Sequence, residues 1–426
     1  MDTAEMPAKM PKLGIPSGTL LSLDDMVLLE ILNHLIVIDL VNLGKTCRRL
    51  AYLTQRQFEK HYSIVTWKKN FKSIKLGESS TILRNIGKHI RKIRLAVWSD
   101  LELHKILVTL GNECSHLRSL TLDSVKMGIT DPHPALISMF RKLKQFVLNE
   151  CSWTVQCPMQ IFFGENSTLE ELSLNDCCRY NPNSCKLQLK EFRALKVLRL
   201  ENCESLLTSA ELKRCFESNA ISVLSLTHFG SNVNLFEFEL INSLCNSLES
   251  LTLAYHSNLR SYQLSRLRKL KKFRILCSET YNVDDAIKKL HVGIEELELV
   301  NVYITSEMME YFKSFKQLRH LSFERCTNSI KSDFFIILPT TLPNLQHLVY
   351  NYSVVKDRDI IHMFRSLPHL KYLNLLGCNM LADDTYFEIV DILMKDLQRS
   401  KLKFIPPQLE SFQCLKNVDN LKEVLC

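Results

Sequence analysis

The sequence predicts an α/β protein: a parallel sheet with a helix after each strand, preceded by a small all-helical segment. Three observations lead there. A leucine motif recurs at a fixed interval, helix-spaced apolar residues lie between its copies, and one stretch near the N-terminus is too apolar for a surface helix yet too interrupted for a membrane span.

The chain has 426 residues, of which 46% are hydrophobic, enough for a large core and against wholesale disorder. The 54 basic and 46 acidic residues leave a formal charge of +8 with no block of five like charges, so nucleic acid is not an expected partner. Residues 1–20, MDTAEMPAKMPKLGIPSGTL, hold three prolines and no continuous apolar run. They read as a flexible tail without signal peptide or membrane anchor. The fifteen cysteines are then expected as free thiols in a reducing compartment, cytoplasm or nucleus.

The first helix is expected from Leu23 or Asp24 to about Leu35, because Ser22 followed by Asp25 looks like a capping box. Its apolar residues Val27, Leu28, Leu29, Ile31, Leu32 and Leu35 cover an arc of roughly 200°, about twice what a surface helix needs. One helix therefore has two faces to cover. Asp39 can cap a second helix ending near Gly44, and KTCRRLAYLTQRQF supplies a third with Cys47, Leu50, Ala51 and Leu53 inward. Three helices in about forty residues make a poor core of their own, so the surplus arc calls for a partner.

A strand-like alternation follows in HYSIVTW from His61. The repeat then begins: leucine, two variable residues, apolar, one variable, apolar. It reads LRSLTL from Leu117, LKQFVL from Leu143, LEELSL from Leu169 and LKVLRL from Leu195, each 26 residues after the last. A leading copy starts at Ile90, and others start at Ile221, Leu248, Leu270, Ile294, Leu318, Leu345 and Leu370, twelve in all. Between copies lie segments such as LELHKILVTLGNEC, with Leu103, Ile106, Leu107, Leu110 and Cys114 at helical spacing. The C-terminal LADDTYFEIVDILMKDLQRSKLKFI predicts a longer helix and a last irregular strand, as a cap.

This pattern resembles the leucine-rich repeat, which implies a solenoid: a curved parallel sheet on the concave side and helices outside. Five copies carry cysteine eight residues after the first leucine, Cys151, Cys177, Cys203, Cys326 and Cys378, at the family's Asn/Cys position. There the resemblance implies a buried thiol bonded to backbone of neighbouring coils. Zinc is the competing reading, but the thiols fall one per coil and no C-x-x-C pair exists, so no metal is expected. No cofactor is expected either.

The segment LDDMVLLEILNHLIVIDLVNLGKTCRRL resembles the F-box, with Leu23, Ile31, Leu35, Asp39, Leu40, Cys47, Arg48 and Arg49 on matching positions. It departs from the usual pattern at Asp24, Met26, Val37 and Leu50. The two resemblances together imply a tail at 1–20, an F-box at 21–61 and a capped solenoid at 62–426. They imply the substrate receptor of an SCF, or cullin-RING, ubiquitin ligase. Its F-box would dock a Skp-type adaptor through Leu23, Leu28, Ile31, Leu32, Leu35, Leu40 and Cys47, and its repeats would hold a target protein. Catalysis would lie elsewhere, since no RING-like set of paired cysteines and histidines and no glycine-rich phosphate loop is visible. The alternatives are a repeat scaffold or inhibitor without a ubiquitination role, and a structural cap on the first coil.

On the sheet face, Lys271, Lys272 and Arg274 share repeat offsets with Glu295, Glu296 and Glu298, which predicts three lateral ion pairs. His320, His347 and Tyr372 share one outward offset, with Val349, Tyr352 and Leu376 nearby. Tyrosine and histidine around aliphatics suit an interface hot spot, which makes these six the expected target site. A second candidate comprises Val197, Val223 and Tyr255.

Overall fold

The computed structural model describes residues 20–67, 76–96, 100–128, 133–153, 168–177, 187–189, 192–203, 206, 208–227, 239–254, 264–328, 334–352, 355–378, 382–395 and 402–405. The chain divides into two compact units, Met1–Gln145 and Phe146–Cys426. Residues 1–19, expected as a tail, lie outside the described residues.

The first unit opens with three helices, α1 (Asp25–Asn33), α2 (Val37–Gly44) and α3 (Arg48–His61). The cap of α1 is Asp24, not Ser22: its carboxylate accepts the Val27 amide at 2.9 Å. The expectation failed by two residues because Asp24 places an acceptor where the first free amides point. Asp39 is likewise inside the first turn of α2, and Ile36 precedes that helix without a side-chain cap. Ala51, expected inward, is exposed, whereas Leu50 and Leu53 are buried.

Arg49 fastens the start of this bundle from α3. Its guanidinium donates to Asp25 Oδ1 at 2.9 Å and to the carbonyls of Leu21 and Leu23 at 2.6 and 2.7 Å. Gln57 adds a bond to the Leu29 carbonyl at 2.9 Å. At the end of α2, a Cβ on Gly44 would stand 2.7 Å from Thr54 Oγ1, so glycine allows α2 to meet α3 closely.

The strand expected in HYSIVTW is β1 (Ile64–Thr66), which pairs in parallel with β2 (Lys92–Ala96), itself paired in parallel with β3 (Ser119–Asp123). Between β2 and β3 runs the helix Asp100–Glu113, whose Leu103, Ile106, Leu107 and Leu110 are buried, as is Cys114 just beyond it.

Further strands follow in chain order: β4 (Gln145–Asn149), β5 (Glu171–Asn175), β6 (Val197–Glu201), β7 (Val223–Thr227), β8 (Ser250–Ala254), β9 (Lys272–Tyr281), β10 (Glu296–Ile304), β11 (His320–Glu324), β12 (His347–Asn351), β13 (Tyr372–Asn374) and β14 (Lys403–Ile405). From β2 to β13 each strand starts two residues after the first residue of a repeat copy. From β5 to β14 neighbouring strands pair in parallel with equal offsets opposed, for example Leu198 with Leu172 and with Leu224. The second and third apolar positions of each motif, such as Leu198 and Leu200, are fully buried, while their strand neighbours Val197 and Arg199 are partly exposed. Helix Phe334–Thr341 shows how the core closes, with the rings of Phe334 and Phe335 against Tyr350 on β12 and Phe334 against Phe323 on β11.

Strand exits share one device. Seven residues after the motif's start the backbone is left-handed at Ser124, Glu150, Asp176, Asn202, Asn301, Arg325, Tyr352 and Gly377, with φ between 51° and 74°. In the second unit, Glu150, Asp176, Asn202 and Arg325 each donate their amide to the carbonyl of the last residue of the next strand, and Tyr352 donates to Leu376, two residues past β13. The reversal turns the next residue inward. Cys177, Cys203, Cys326 and Cys378 are all buried there and donate their thiols to carbonyls of the preceding strand: Leu148, Leu174, Leu299 and Tyr350. Among the described residues, no helix is long and apolar enough to cross a membrane.

Candidate protein-binding surfaces

The first surface is built on α1. Of the seven residues expected there, Leu28, Leu32 and Leu40 are in the core of the helical bundle, at 1–2% exposure. Leu23, Leu35 and Cys47 are half-buried, and Ile31 is exposed at 37%. The wide apolar arc is thus split. Leu28 and Leu32, four apart, face the neighbouring helices; Val27 and Ile31, also four apart, face out. Leu20, Met26, Ile36 and Tyr52 add further exposed apolar groups that the sequence reading did not single out. The i, i+4 spacing of Val27 and Ile31 beside that of Leu28 and Leu32 was the signal that separates the two stripes.

The three buried leucines therefore shape the surface from beneath and do not form it. The exposed apolar groups are Val27, Ile31 and Ile36, with the half-buried Leu23 and Leu35 at the margin.

The second surface is the outward face of β10 to β14. The rings of His320 and His347 stack, centroids 5.7 Å apart and planes 19° apart, and Tyr372 continues the row at 5.8 Å and 29° from His347. Strand register explains this: His320, His347, Tyr372 and Lys403 are consecutive partners across β11 to β14. Burial, helped by the nearby charges of His320 and Lys371 and opposed by Glu296, holds the His347 pKa below its usual value. Val349 is in the next row, in register with Ser322 and Asn374, and is half-buried like Leu376.

Tyr352 is not on this strand face. It occupies the left-handed position one residue past β12, half exposed, with the Arg325 guanidinium 5.3 Å from its ring centroid. A Cβ on Gly377 would stand 2.3 Å from that ring, so Tyr352 lies directly over the glycine of the next copy. Arg325, Tyr352 and Gly377 share one repeat offset, making a second row at the strand exits. The sequence reading missed Arg325, whose offset was its only signal. Strand β14 pairs beside β13 and extends the sheet; residues 406–426 lie outside the described residues.

Of the second candidate group, Val197 and Val223 are register partners and half-buried, while Tyr255 lies outside the described residues. The three lateral ion pairs that the offsets of Lys271, Lys272 and Arg274 predict are present. Lys271 reaches Glu295 at 3.5 Å, Lys272 reaches Glu296 at 2.7 Å, and Arg274 reaches Glu298 at 3.1 Å.

Among the described residues, no group of three or more His, Cys, Asp or Glu side chains could hold a metal ion. Burial pushes the pKa values of Cys114, Cys215 and Cys277 up to about 12 and that of Cys326 up to about 11. Cys177 is raised chiefly by its hydrogen bond with Cys203, then by burial.

Both surfaces offer contact area to a partner: an apolar helix face on one, a row of stacked rings bordered by aliphatics on the other. Residues 20–61, which hold the first, match the F-box domain. No curated protein matches the chain.

Proposed function

We propose that this protein is the substrate-recognition subunit of an SCF, or cullin-RING, ubiquitin ligase. The observation that carries this reading is the F-box match at residues 20–61, together with the exposed Val27 and Ile31 on its first helix. In this reading residues 1–20 are a tail, 21–61 dock a Skp-type adaptor, and 62–426 form a capped leucine-rich repeat solenoid that holds a target protein. The strand-per-repeat register and the inward thiols at the Asn/Cys position support the solenoid.

The chemistry is proximity. A target held near a ubiquitin-charged enzyme presents its lysines at a high effective concentration, so this chain supplies binding and no catalytic group. The target surface in this reading centres on Val349 and Tyr372, flanked by His320, His347 and Leu376, with Tyr352 and Arg325 along the strand exits. Action in the cytoplasm or nucleus goes with this reading.

The test is a pair of affinity purifications, one with the intact chain and one lacking residues 20–61. The proposal expects adaptor and cullin only with the first, and the target with both. Identical partners from the two would leave a binding scaffold without a ubiquitination role.

A further inference from the structure

We propose that a cleft in the first unit, between the C-terminal half of α3 and the turn that precedes β2, binds a phosphate-bearing anion. Its volume is about 760 Å³, and its walls include Gln55, Glu59, Lys88, His89, Arg91 and His116. That size suits a ligand larger than a single ion.

Four of those six side chains are basic or can become so, and one is acidic. Lys88 donates to the neutral Gln55 Oε1 at 3.0 Å. Among the described residues neither Lys88 nor Arg91 has a carboxylate within ion-pair distance. The contrast is Arg94, three residues beyond Arg91, which is held by both carboxylate oxygens of Asp123. His89 forms the inner wall. Its side chain is only 10% exposed, and its buried Nε2 has no hydrogen-bond partner, while Nδ1 stands 3.9 Å from Glu59. A buried ring nitrogen without a partner is costly and uncommon. Gly87 places this turn: a Cβ there would stand 2.7 Å from the Glu113 carbonyl, so only glycine lets residues 87–89 settle on the end of the helix Asp100–Glu113.

Phosphate fits this set better than carboxylate. Arg91 can offer a planar fork, Lys88 a point charge, and His116 a further donor, to a group with several acceptor oxygens. The groups around His89 are Glu59 from α3, Lys88 and Arg91 from its own segment, and His116 from the turn before β3. Burial, Lys88 and His116 favour its neutral form, Glu59 its charged one.

The experiment is calorimetric titration of the full chain at low salt with inorganic pyrophosphate, and separately with a phosphoserine peptide and its unphosphorylated twin. The expected result is binding of at least one phosphate probe at pH 7.5. It should be weakened tenfold or more by Lys88→Gln with Arg91→Gln and unchanged by Lys105→Gln on the helix Asp100–Glu113. Pyrophosphate alone binding would identify a soluble ligand, and the phosphopeptide binding without its twin a protein-borne one. If neither probe binds, or the Lys105→Gln control loses as much as the double variant, the site does not exist. The exposed Lys88 and Arg91 leave folding intact, which circular dichroism of the variants checks. The outcome is independent of the adaptor reading.

Discussion

The imidazole of His347 lies stacked on that of His320, centroids 5.7 Å apart, because the two residues are register partners on adjacent parallel strands. Two rings so placed resist simultaneous protonation. His347 is half-buried, and its pKa is held below 6.5, first by burial and then by His320 and Lys371, against Glu296. A histidine with a lowered native pKa binds fewer protons folded than unfolded. Its contribution to stability is therefore complete above the ordinary histidine range and is lost as the pH falls below about 6.5 towards its native value. Urea unfolding between pH 7.5 and 5 should show a decline that is smaller in His347→Gln. An equal decline in both proteins would remove His347 from the account.

On α1, adjacent residues should give opposite results. Ile31→Asp places a charge at an exposed position, so the bundle should stay folded while adaptor binding falls tenfold or more, about 1.4 kcal/mol. Leu32→Asp places it at 2% exposure, at a cost of several kcal/mol, and should unfold the three helices. Circular dichroism and adaptor pull-down on both variants separate the cases. A folded Ile31→Asp protein with undiminished adaptor binding would count against this helix face.

Much of this architecture was legible in the sequence, and the parts that were not have physical causes. Strand positions could be read because each is tied to a leucine that must be buried, and in-register pairing follows from equal spacing. The lateral pairs Lys272–Glu296 and Arg274–Glu298 were readable for the same reason. The left-handed strand exits were hidden, since seven of them are non-glycine residues, among them Arg325 and Tyr352, that supply no usual turn signal. Tyr352 was therefore placed on the strand face. Helix caps misled because Ser22, Asp24, Asp25 and Asp39 can all accept amides, and only the chain path selects Asp24. The cleft at Lys88 and Arg91 has no sequence signature, as its walls come from segments about thirty residues apart.

The lateral charge pairs predict compensation. Arg274→Glu sets like charges where Arg274 now meets Glu298 at 3.1 Å, and should cost about 1 kcal/mol at low salt. Adding Glu298→Arg should restore most of it, and 1 M salt should shrink both differences. Shifts in the urea midpoint read the effect directly.

The thiols predict a reactivity order. With pKa values pushed up to about 12 for Cys114, Cys215 and Cys277 and to about 11 for Cys326, little thiolate exists at pH 8. Alkylation of the native protein followed by peptide mapping should label the half-buried Cys47 and Cys245 before these four, which should react only on unfolding. Metal analysis of the purified chain should find no stoichiometric zinc. Rapid native labelling of Cys326, or one zinc per chain, would contradict this reading.

The target surface is tested by a double substitution, Val349→Ala with Tyr372→Ala. Neither side chain is fully buried, so the sheet should survive, with Leu348 and Leu373 still filling the core on either side of the β12–β13 pairing. Tyr372 ends the ring row on His347, and its hydroxyl accepts a long bond from Asn374 at 3.4 Å, so its removal strips the row of its largest flat face. Aromatic residues at interface centres typically cost about 2 kcal/mol or more on truncation, which is close to a thirtyfold loss of affinity. The double variant should lose the target while retaining the adaptor, because Val27 and Ile31 are untouched. A separate Tyr352→Ala variant asks whether the strand-exit row takes part: Arg325 loses the ring beneath its guanidinium, and a target that spans both rows should weaken again. If the intact protein captures a target and the folded double variant holds it equally well, the site moves along the sheet to the paired Val197 and Val223. Alanine at those two positions is then the deciding measurement.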